Sequence, residues 1–145
     1  MAEGVRSTQE QAFRFVHHFG EGIPDLAGDE PKPIGGGTGP SPVQMLCAAV
    51  SHCLSASLHF ALAKFKTSAS PLRTTVEPTV GRNEGNRLRV QKLRVRIDLG
   101  AGAADLPHLD RALAQFEDFC TVTASIRQAI PVELEVYDSA GARCK

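Results

Sequence analysis

The sequence predicts an α+β fold with mainly antiparallel strand pairing. Three observations predict it. Residues 12–19 alternate in parity as a strand does, residues 42–66 form one long apolar helix, and residues 74–99 form two strands joined by a Gly/Asn turn. At 145 residues the chain is long enough for one ordinary domain. We therefore expect residues 1–145 to form a single domain, with residues 1–11 as a flexible N-terminus.

The long helix is the most informative segment of the sequence. Ser41 is a favourable N-cap, and Pro42 occupies the first helical position, where its missing N–H costs nothing. The helical pattern continues to about Lys66 and is apolar on nearly every side, which is typical of a buried central helix. The segment before it, residues 20–40, is rich in glycine and proline and is predicted to be a loop.

The alternation of apolar and polar residues is interrupted in the second of the two joined strands. Apolar residues alternate up to Val90, the phase slips at Gln91 and Lys92, and alternation resumes through Leu99, which predicts a β-bulge. Lys92, Arg94 and Arg96 point to the other side of this strand. A solvated sheet face is the favoured interpretation of these basic residues, and a basic rim beside a binding cleft is the alternative.

The C-terminal third predicts two further helices and a final strand. A second helix is indicated by apolar residues at helical spacing: Leu106, Leu109, Leu113, Phe116 and Cys120. Residues 121–130 predict a short helix. Residues 131–137 predict a strand with Val132, Leu134 and Val136 facing inward.

Composition and motifs exclude several classes of function. Sixteen basic residues balance sixteen acidic ones, so the general basic field of a nucleic-acid-binding protein is absent. The chain shows no secretory signal, and we expect no membrane span, so the predicted location is the cytoplasm. No metal or other cofactor is predicted, because the chain has no C-x-x-C or H-E-x-x-H motif. His52 and His59 are separated by about 10 Å along the helix, too far to share one ion directly.

The four cysteines differ in position. Cys53 and Cys120 each lie on the apolar face of a predicted helix, so packing of the two faces could bring their sulfurs together. From periodicity alone, core filling is favoured over a redox pair. Cys47 is turned about 120° away from Cys53, and Cys144 is next to the C-terminal residue, where chain ends fray. We expect both Cys47 and Cys144 to be dispensable.

Several segments together resemble a known family. GPSPVQMLCAAVSHCL, the bulged strand, FCTVTASI and IPVELEV are similar to the OsmC/Ohr family of osmotically inducible and organic hydroperoxide resistance proteins, which are thiol-dependent peroxidases. The likeness covers the chain from about residue 13 to Val136. It implies an intertwined homodimer in which antiparallel sheets wrap two long central helices, with two sites at the subunit interface.

The resemblance also implies a chemistry. Cys53 matches the cysteine that attacks a hydrophobic organic hydroperoxide, and Cys120 matches the resolving cysteine, which forms a disulfide that a dithiol, commonly a lipoylated protein, reduces. A position for Cys120 at a helix C-terminus would also make it the poorer attacker. The peroxidase branches activate the first cysteine with an Arg held by a Glu ten residues earlier, but Val43 occupies that position here. Arg6 and Arg14 are the candidate substitutes.

An alternative function is compatible with the same resemblance. The chain would then be a dimer that binds a small apolar ligand at the subunit interface with little or no catalysis. Val43 favours this alternative, whereas the pair of cysteines favours the peroxidase.

Overall fold

A computed structural model describes residues 4–145. These residues contain two three-stranded sheets and several helices. The chain divides into two compact units, the first ending at Leu46 and the second beginning at Cys47. The single domain stays a prediction.

The first unit contains an antiparallel sheet with the strand order β1-β2-β3. Its strands are β1 (Arg6–Gln11), β2 (Arg14–His18) and β3 (Leu26–Gly28). β2 confirms the strand predicted at residues 12–19. β1 lies within the predicted flexible N-terminus and corrects that expectation for its six residues. These residues are all exposed and carry no apolar pattern that would have indicated a strand. Residues 1–3 lie outside the described part. β3 is a second correction, because it lies in the predicted loop.

A buried carboxylate organises the loop that leads to the long helix. Asp29 accepts hydrogen bonds from the backbone N–H groups of Glu30, Gly36 and Thr38, and from the Thr38 hydroxyl. These bonds, the Thr38 hydroxyl first, hold the pKa of Asp29 below its usual range. Gly39 is needed in this loop, because a Cβ there would lie 2.1 Å from the Ala27 carbonyl oxygen.

The long helix, α1, runs from Pro42 to Lys64. It begins with a capping box: the Gln44 N–H donates to Ser41 Oγ at 3.2 Å, and the Ser41 N–H donates to Gln44 Oε1 at 2.9 Å. The N-cap is confirmed. The predicted all-round burial is wrong for the single chain, because Ala49, Ala56 and Phe60 are exposed on one side. The buried residues of α1 are Val50, Leu54, Ser57, Leu58, Ala61 and Leu62.

α1 also has the length and composition of a membrane-spanning helix, with a mean hydropathy of 1.5 over its most apolar window. This differs from the expectation of no such segment. The core helix of a soluble protein has the same features, and the buried residues of α1 belong to the main apolar core. The buried side of α1 therefore belongs to the core, whereas the side with Ala49, Ala56 and Phe60 is exposed.

The second unit contains a mixed sheet with the strand order β4-β5-β6. Its strands are β4 (Arg73–Arg82), β5 (Leu88–Asp98) and β6 (Val132–Tyr137). β4 and β5 are antiparallel. Thr79 pairs with Lys92 and Val80 with Val90, which leaves Gln91 as the extra residue and confirms the β-bulge. β6 is parallel to β5, so the sheet departs from the antiparallel expectation at this edge.

Parallel pairing requires a long crossover, and the segment between β5 and β6 supplies it with helices. These are a 3-10 helix (Ala103–Asp105), α2 (Leu109–Gln115), a 3-10 helix (Phe116–Phe119) and α3 (Thr121–Ile126). The predicted continuous second helix is wrong: His108, with φ 62°, separates Leu106 from α2, and Cys120 adopts an extended conformation before α3. The residues predicted to face the core there are nonetheless buried. The short helix predicted at 121–130 is confirmed as α3.

The basic residues of β5 lie on the exposed side of the sheet and are paired with acidic neighbours. Lys92 Nζ lies 3.2 Å from a Glu133 oxygen, and Arg96 lies 2.8 Å from a carboxylate oxygen of Asp98 and stacks 4.0 Å from the centre of the Tyr137 ring. These contacts favour the solvated sheet face over the basic cleft rim.

Candidate redox site

The structure brings Cys53 and Cys120 together. Cys53 lies in the middle of α1 and is half-buried, whereas Cys120 is the N-cap of α3 and has no exposed surface. The two thiols are close enough for Cys53 to raise the pKa of Cys120. Both sulfurs are free thiols. The sequence left core filling and a redox pair open, and contact between the thiols meets the first geometric requirement of a pair.

The surroundings of Cys120 favour its protonated form. Burial raises the pKa of Cys120, and the neighbouring Cys53 side chain raises it further. The Thr123 hydroxyl and backbone N–H act in the opposite direction. The expected position of Cys120 at a helix C-terminus is wrong, since it precedes α3, so burial rather than a helix dipole makes it a poor nucleophile.

Packing and an ion cluster hold the segment that precedes Cys120. Phe116 is fully buried and anchors the 3-10 helix. Glu117 forms ion pairs with Arg127 and with Lys145, whose Nζ lies 2.5 Å from Glu117 Oε2. Lys145 also donates to the Leu113 carbonyl oxygen at 2.8 Å. These contacts connect α2, α3 and residue 145 around the 3-10 helix, and so fix the backbone that leads to Cys120.

An exposed aromatic pair lies close to both thiols in the sequence. Phe60 is two turns beyond Cys53 on α1, and Phe119 directly precedes Cys120. Their ring centres are 6.0 Å apart in an edge-to-face arrangement, and the side chains are 53% and 47% exposed. Lys64 Nζ lies 4.8 Å from the Phe60 ring centre and 4.2 Å from that of Phe119. Sequence analysis placed Phe60 on the Cys53 face but missed Phe119 and Lys64; the four-residue spacing of Phe60 and Lys64 was the available signal.

The candidate cations Arg6 and Arg14 belong to the first unit. Arg14 Nε lies 2.6 Å from a Glu10 oxygen, and its guanidinium also donates to the Thr38 hydroxyl at 2.7 Å. Arg6 is exposed on β1, and Val43 is half-buried in the first turn of α1. The action of either arginine on Cys53 stays a prediction.

The other two cysteines lie in less reactive surroundings. Burial raises the pKa of Cys47, and burial together with the Asp138 carboxylate raises that of Cys144. The Cys144 N–H donates to the Val136 carbonyl oxygen at 2.7 Å, so this end of the chain is paired with β6 rather than frayed. Both thiols are therefore expected to stay protonated at neutral pH.

Within residues 4–145, no cluster of three or more His, Cys, Asp and Glu side chains has the geometry of a metal site. His52 and His59 are both exposed on α1.

Comparison with known proteins decides the family. A family model described as OsmC-like protein matches residues 35–135, which include both thiols and most of the second unit. The chain belongs to the OsmC family. No curated protein sequence matches it significantly.

Solved structures of OsmC proteins share the fold. An OsmC-like protein from Mycoplasma pneumoniae has a TM-score of 0.77 at 9% identity, covering 93% of this chain and 95% of that one. An OsmC-like protein from Vibrio cholerae has a TM-score of 0.74 at 16% identity, covering 92% and 99%. An organic hydroperoxide resistance protein OsmC from Legionella pneumophila has a TM-score of 0.70 at 16% identity, covering 91% and 93%. At these identities the likeness shows the OsmC-like α+β fold.

Proposed function

We propose that this OsmC-family protein is a thiol peroxidase that reduces organic hydroperoxides through Cys53 and Cys120. The observation that carries the proposal is the neighbouring pair of free thiols, one half-buried and one fully buried. The name of the Legionella pneumophila relative, an organic hydroperoxide resistance protein, supports the choice of substrate class.

The proposed reaction has two steps on the protein. The Cys53 thiolate attacks the distal oxygen of ROOH and the O–O bond breaks, which leaves a sulfenic acid on Cys53 and an alkoxide that takes up a proton to give ROH. Cys120 then loses its proton and attacks the Cys53 sulfur. The S–O bond breaks, a disulfide forms, and the departing hydroxide takes the proton to give water. A dithiol reduces the disulfide by exchange and becomes oxidised itself.

The division of roles between the two cysteines follows from their accessibility. Cys53 is partly exposed, whereas Cys120 has no surface that a peroxide could reach. The exposed rings of Phe60 and Phe119 offer an apolar surface for the alkyl group of the substrate. An activating role for Arg14 or Arg6 is part of the proposal, and we expect Arg14→Gln or Arg6→Gln to lower the rate.

We further propose a cytoplasmic homodimer. The exposed side of α1 carries Ala49, Ala56 and Phe60, an apolar strip that a second copy of the chain would cover. Sedimentation should then give twice the 15.5 kDa chain mass. Ala56→Glu should produce monomers, whereas Ala114→Glu, the same change at an exposed position of α2, should not. A stable monomer of the unchanged protein at micromolar concentration would contradict the homodimer. Free thiols suit the reducing cytoplasm.

Two observations favour a second function, the binding of a small apolar ligand without catalysis. Val43 replaces the Glu that the peroxidase branches use, and the raised pKa of Cys120 slows the formation of its thiolate. The exposed aromatic pair would serve such a ligand equally well.

Peroxide consumption in the presence of a dithiol such as dihydrolipoamide separates the two functions. Cys53→Ser should remove the activity, and Cys120→Ser should allow one turnover and leave a sulfenic acid on Cys53. Cys47→Ser and Cys144→Ser are the matched controls and should keep the activity. If the parent consumes peroxide only at the uncatalysed rate, the peroxidase proposal fails and ligand binding stands.

A further inference from the structure

Thr123 carries a buried hydroxyl with no hydrogen-bond partner in the described part of the chain. The residue is 1% exposed, and its Oγ1 neither donates nor accepts a hydrogen bond in this structure. A threonine inside a helix usually points to solvent or bonds the carbonyl one turn earlier, and Thr123 does neither. An unsatisfied buried hydroxyl costs free energy, so its retention calls for an explanation.

The position of Thr123 places its hydroxyl next to Cys120. Cys120 is the N-cap of α3, and Thr123 is the third residue of that helix. At this position of a helix the side chain and the N–H generally face the N-cap residue. The hydroxyl and the N–H of Thr123 both lower the pKa of Cys120, although the contact with the neutral thiol does not reach hydrogen-bond geometry. A neutral thiol is a weak acceptor, whereas a thiolate is a strong one. The missing partner of Thr123 is therefore present in the site as soon as Cys120 loses its proton.

We propose that the Thr123 hydroxyl is a hydrogen-bond donor to the Cys120 thiolate, and that it stabilises this thiolate while it attacks the Cys53 sulfenic acid. This inference rests on the proposed function. The hydroxyl keeps its own proton throughout and donates it only in a hydrogen bond. The proton released by Cys120 goes to the departing hydroxide, so the step consumes one thiol and one sulfenic acid and gives one disulfide and one water.

The Thr123 hydroxyl should act on one step of the reaction only, because it stabilises Cys120 only when that thiol is ionised. With Cys120 protonated, the hydroxyl is unsatisfied and stabilises nothing. With Cys120 ionised, it opposes the burial that raises the pKa of this thiol. Thr123 should therefore affect the second step of the reaction and leave the attack of Cys53 on peroxide unchanged.

The first test is a titration that needs no peroxide. Thiolate absorbance near 240 nm is followed against pH in the reduced full-length protein, and the difference between each protein and its Cys120→Ser derivative assigns Cys120. Thr123→Val, which keeps the shape and removes the hydroxyl, should raise the pKa of Cys120 by about one unit. Thr123→Ser, which keeps the hydroxyl, should leave the pKa unchanged. If the valine variant titrates like the parent, or if serine shifts the pKa as valine does, the proposal is overturned.

The second test follows disulfide formation in a single turnover after one equivalent of tert-butyl hydroperoxide. Thr123→Val should slow this step about tenfold at pH values below the pKa of Cys120 and leave the rate unchanged above it. An equal loss at every pH would indicate a structural role and overturn the proposal. Should the valine variant fail to fold, Thr123→Ala carries the same expectations. If the parent shows no reaction with peroxide, the proposed function fails, while the titration still decides the role of Thr123.

Discussion

Replacing Thr123 by valine should make the reduced protein more stable while it impairs the redox step. The Thr123 hydroxyl is buried and has no hydrogen-bond partner among the described residues, so folding removes it from water without compensation. Valine fills the same volume with a methyl group in place of the hydroxyl. Valine and threonine have nearly equal helix propensities, so α3 itself is not altered.

The expected gain follows from the cost of an unsatisfied group. Burying such a group without a partner costs about 1–3 kcal/mol. We expect a gain of about 1 kcal/mol in the free energy of unfolding, at the lower end of that range. For a chain of this length, the gain corresponds to a rise of about 2–4 °C in Tm.

Urea unfolding at neutral pH with a reductant measures this effect, at a fixed protein concentration because association would contribute to stability. Thr123→Ser is the matched control: it keeps the unsatisfied hydroxyl and loses a buried methyl, so it should be less stable than the parent by about 1 kcal/mol. If valine lowers the stability instead, the hydroxyl has a stabilising partner in the neutral protein and the reasoning is refuted.

Three further predictions concern stability and access to the site. The free energy of unfolding should fall as the pH rises above about 8.5, the ordinary pKa of a thiol, because thiols with raised pKa values in the folded protein keep their protons longer than in the unfolded chain. Unfolding measured at neutral and at alkaline pH tests this dependence. Cys120→Ser should reduce the slope of the unfolding free energy against pH, and a stability that does not change with pH would contradict the prediction. Glu117→Gln should cost at most about 1 kcal/mol for each ion pair lost and should speed alkylation of Cys120; Glu133→Gln, which removes an ion pair on the exposed sheet face, should not change that alkylation. Leu54→Ala should cost about 2–5 kcal/mol in urea unfolding, since Leu54 is fully buried, and Leu88→Ala, at an exposed position, should cost little; equal effects would contradict the described core.

The parts of the fold that the sequence predicts correctly depend on local signals. Ser41 and Gln44, which are three residues apart, mark the start of α1. The phase slip at Gln91 marks the bulge within a single strand. β1 was missed because its exposed polar residues carry no alternation. The parallel partner of β5 and the break before Cys120 depend on how distant segments pack. The exposed side of α1 was likewise not predictable from the sequence, because the apolar composition of a helix does not show which of its sides another element covers.

The candidate site was predictable in part. Helical spacing placed Cys53 and Cys120 on apolar faces, but only the tertiary structure shows that their thiols are neighbours. The unsatisfied hydroxyl of Thr123 has no sequence signature, since most threonines in helices find solvent or a carbonyl. The contact of Lys64 with Phe119 joins segments more than fifty residues apart and could not be inferred from spacing.

The mass of the protein after one equivalent of an organic hydroperoxide tests the central claim most directly. The reduced chain should lose about two hydrogens, and digestion without reductant should yield one peptide pair joined through Cys53 and Cys120. The same treatment of Cys120→Ser should instead add one oxygen, on Cys53. An unchanged mass, or a disulfide that involves Cys47 or Cys144, would contradict the assignment of Cys53 and Cys120 as the redox pair.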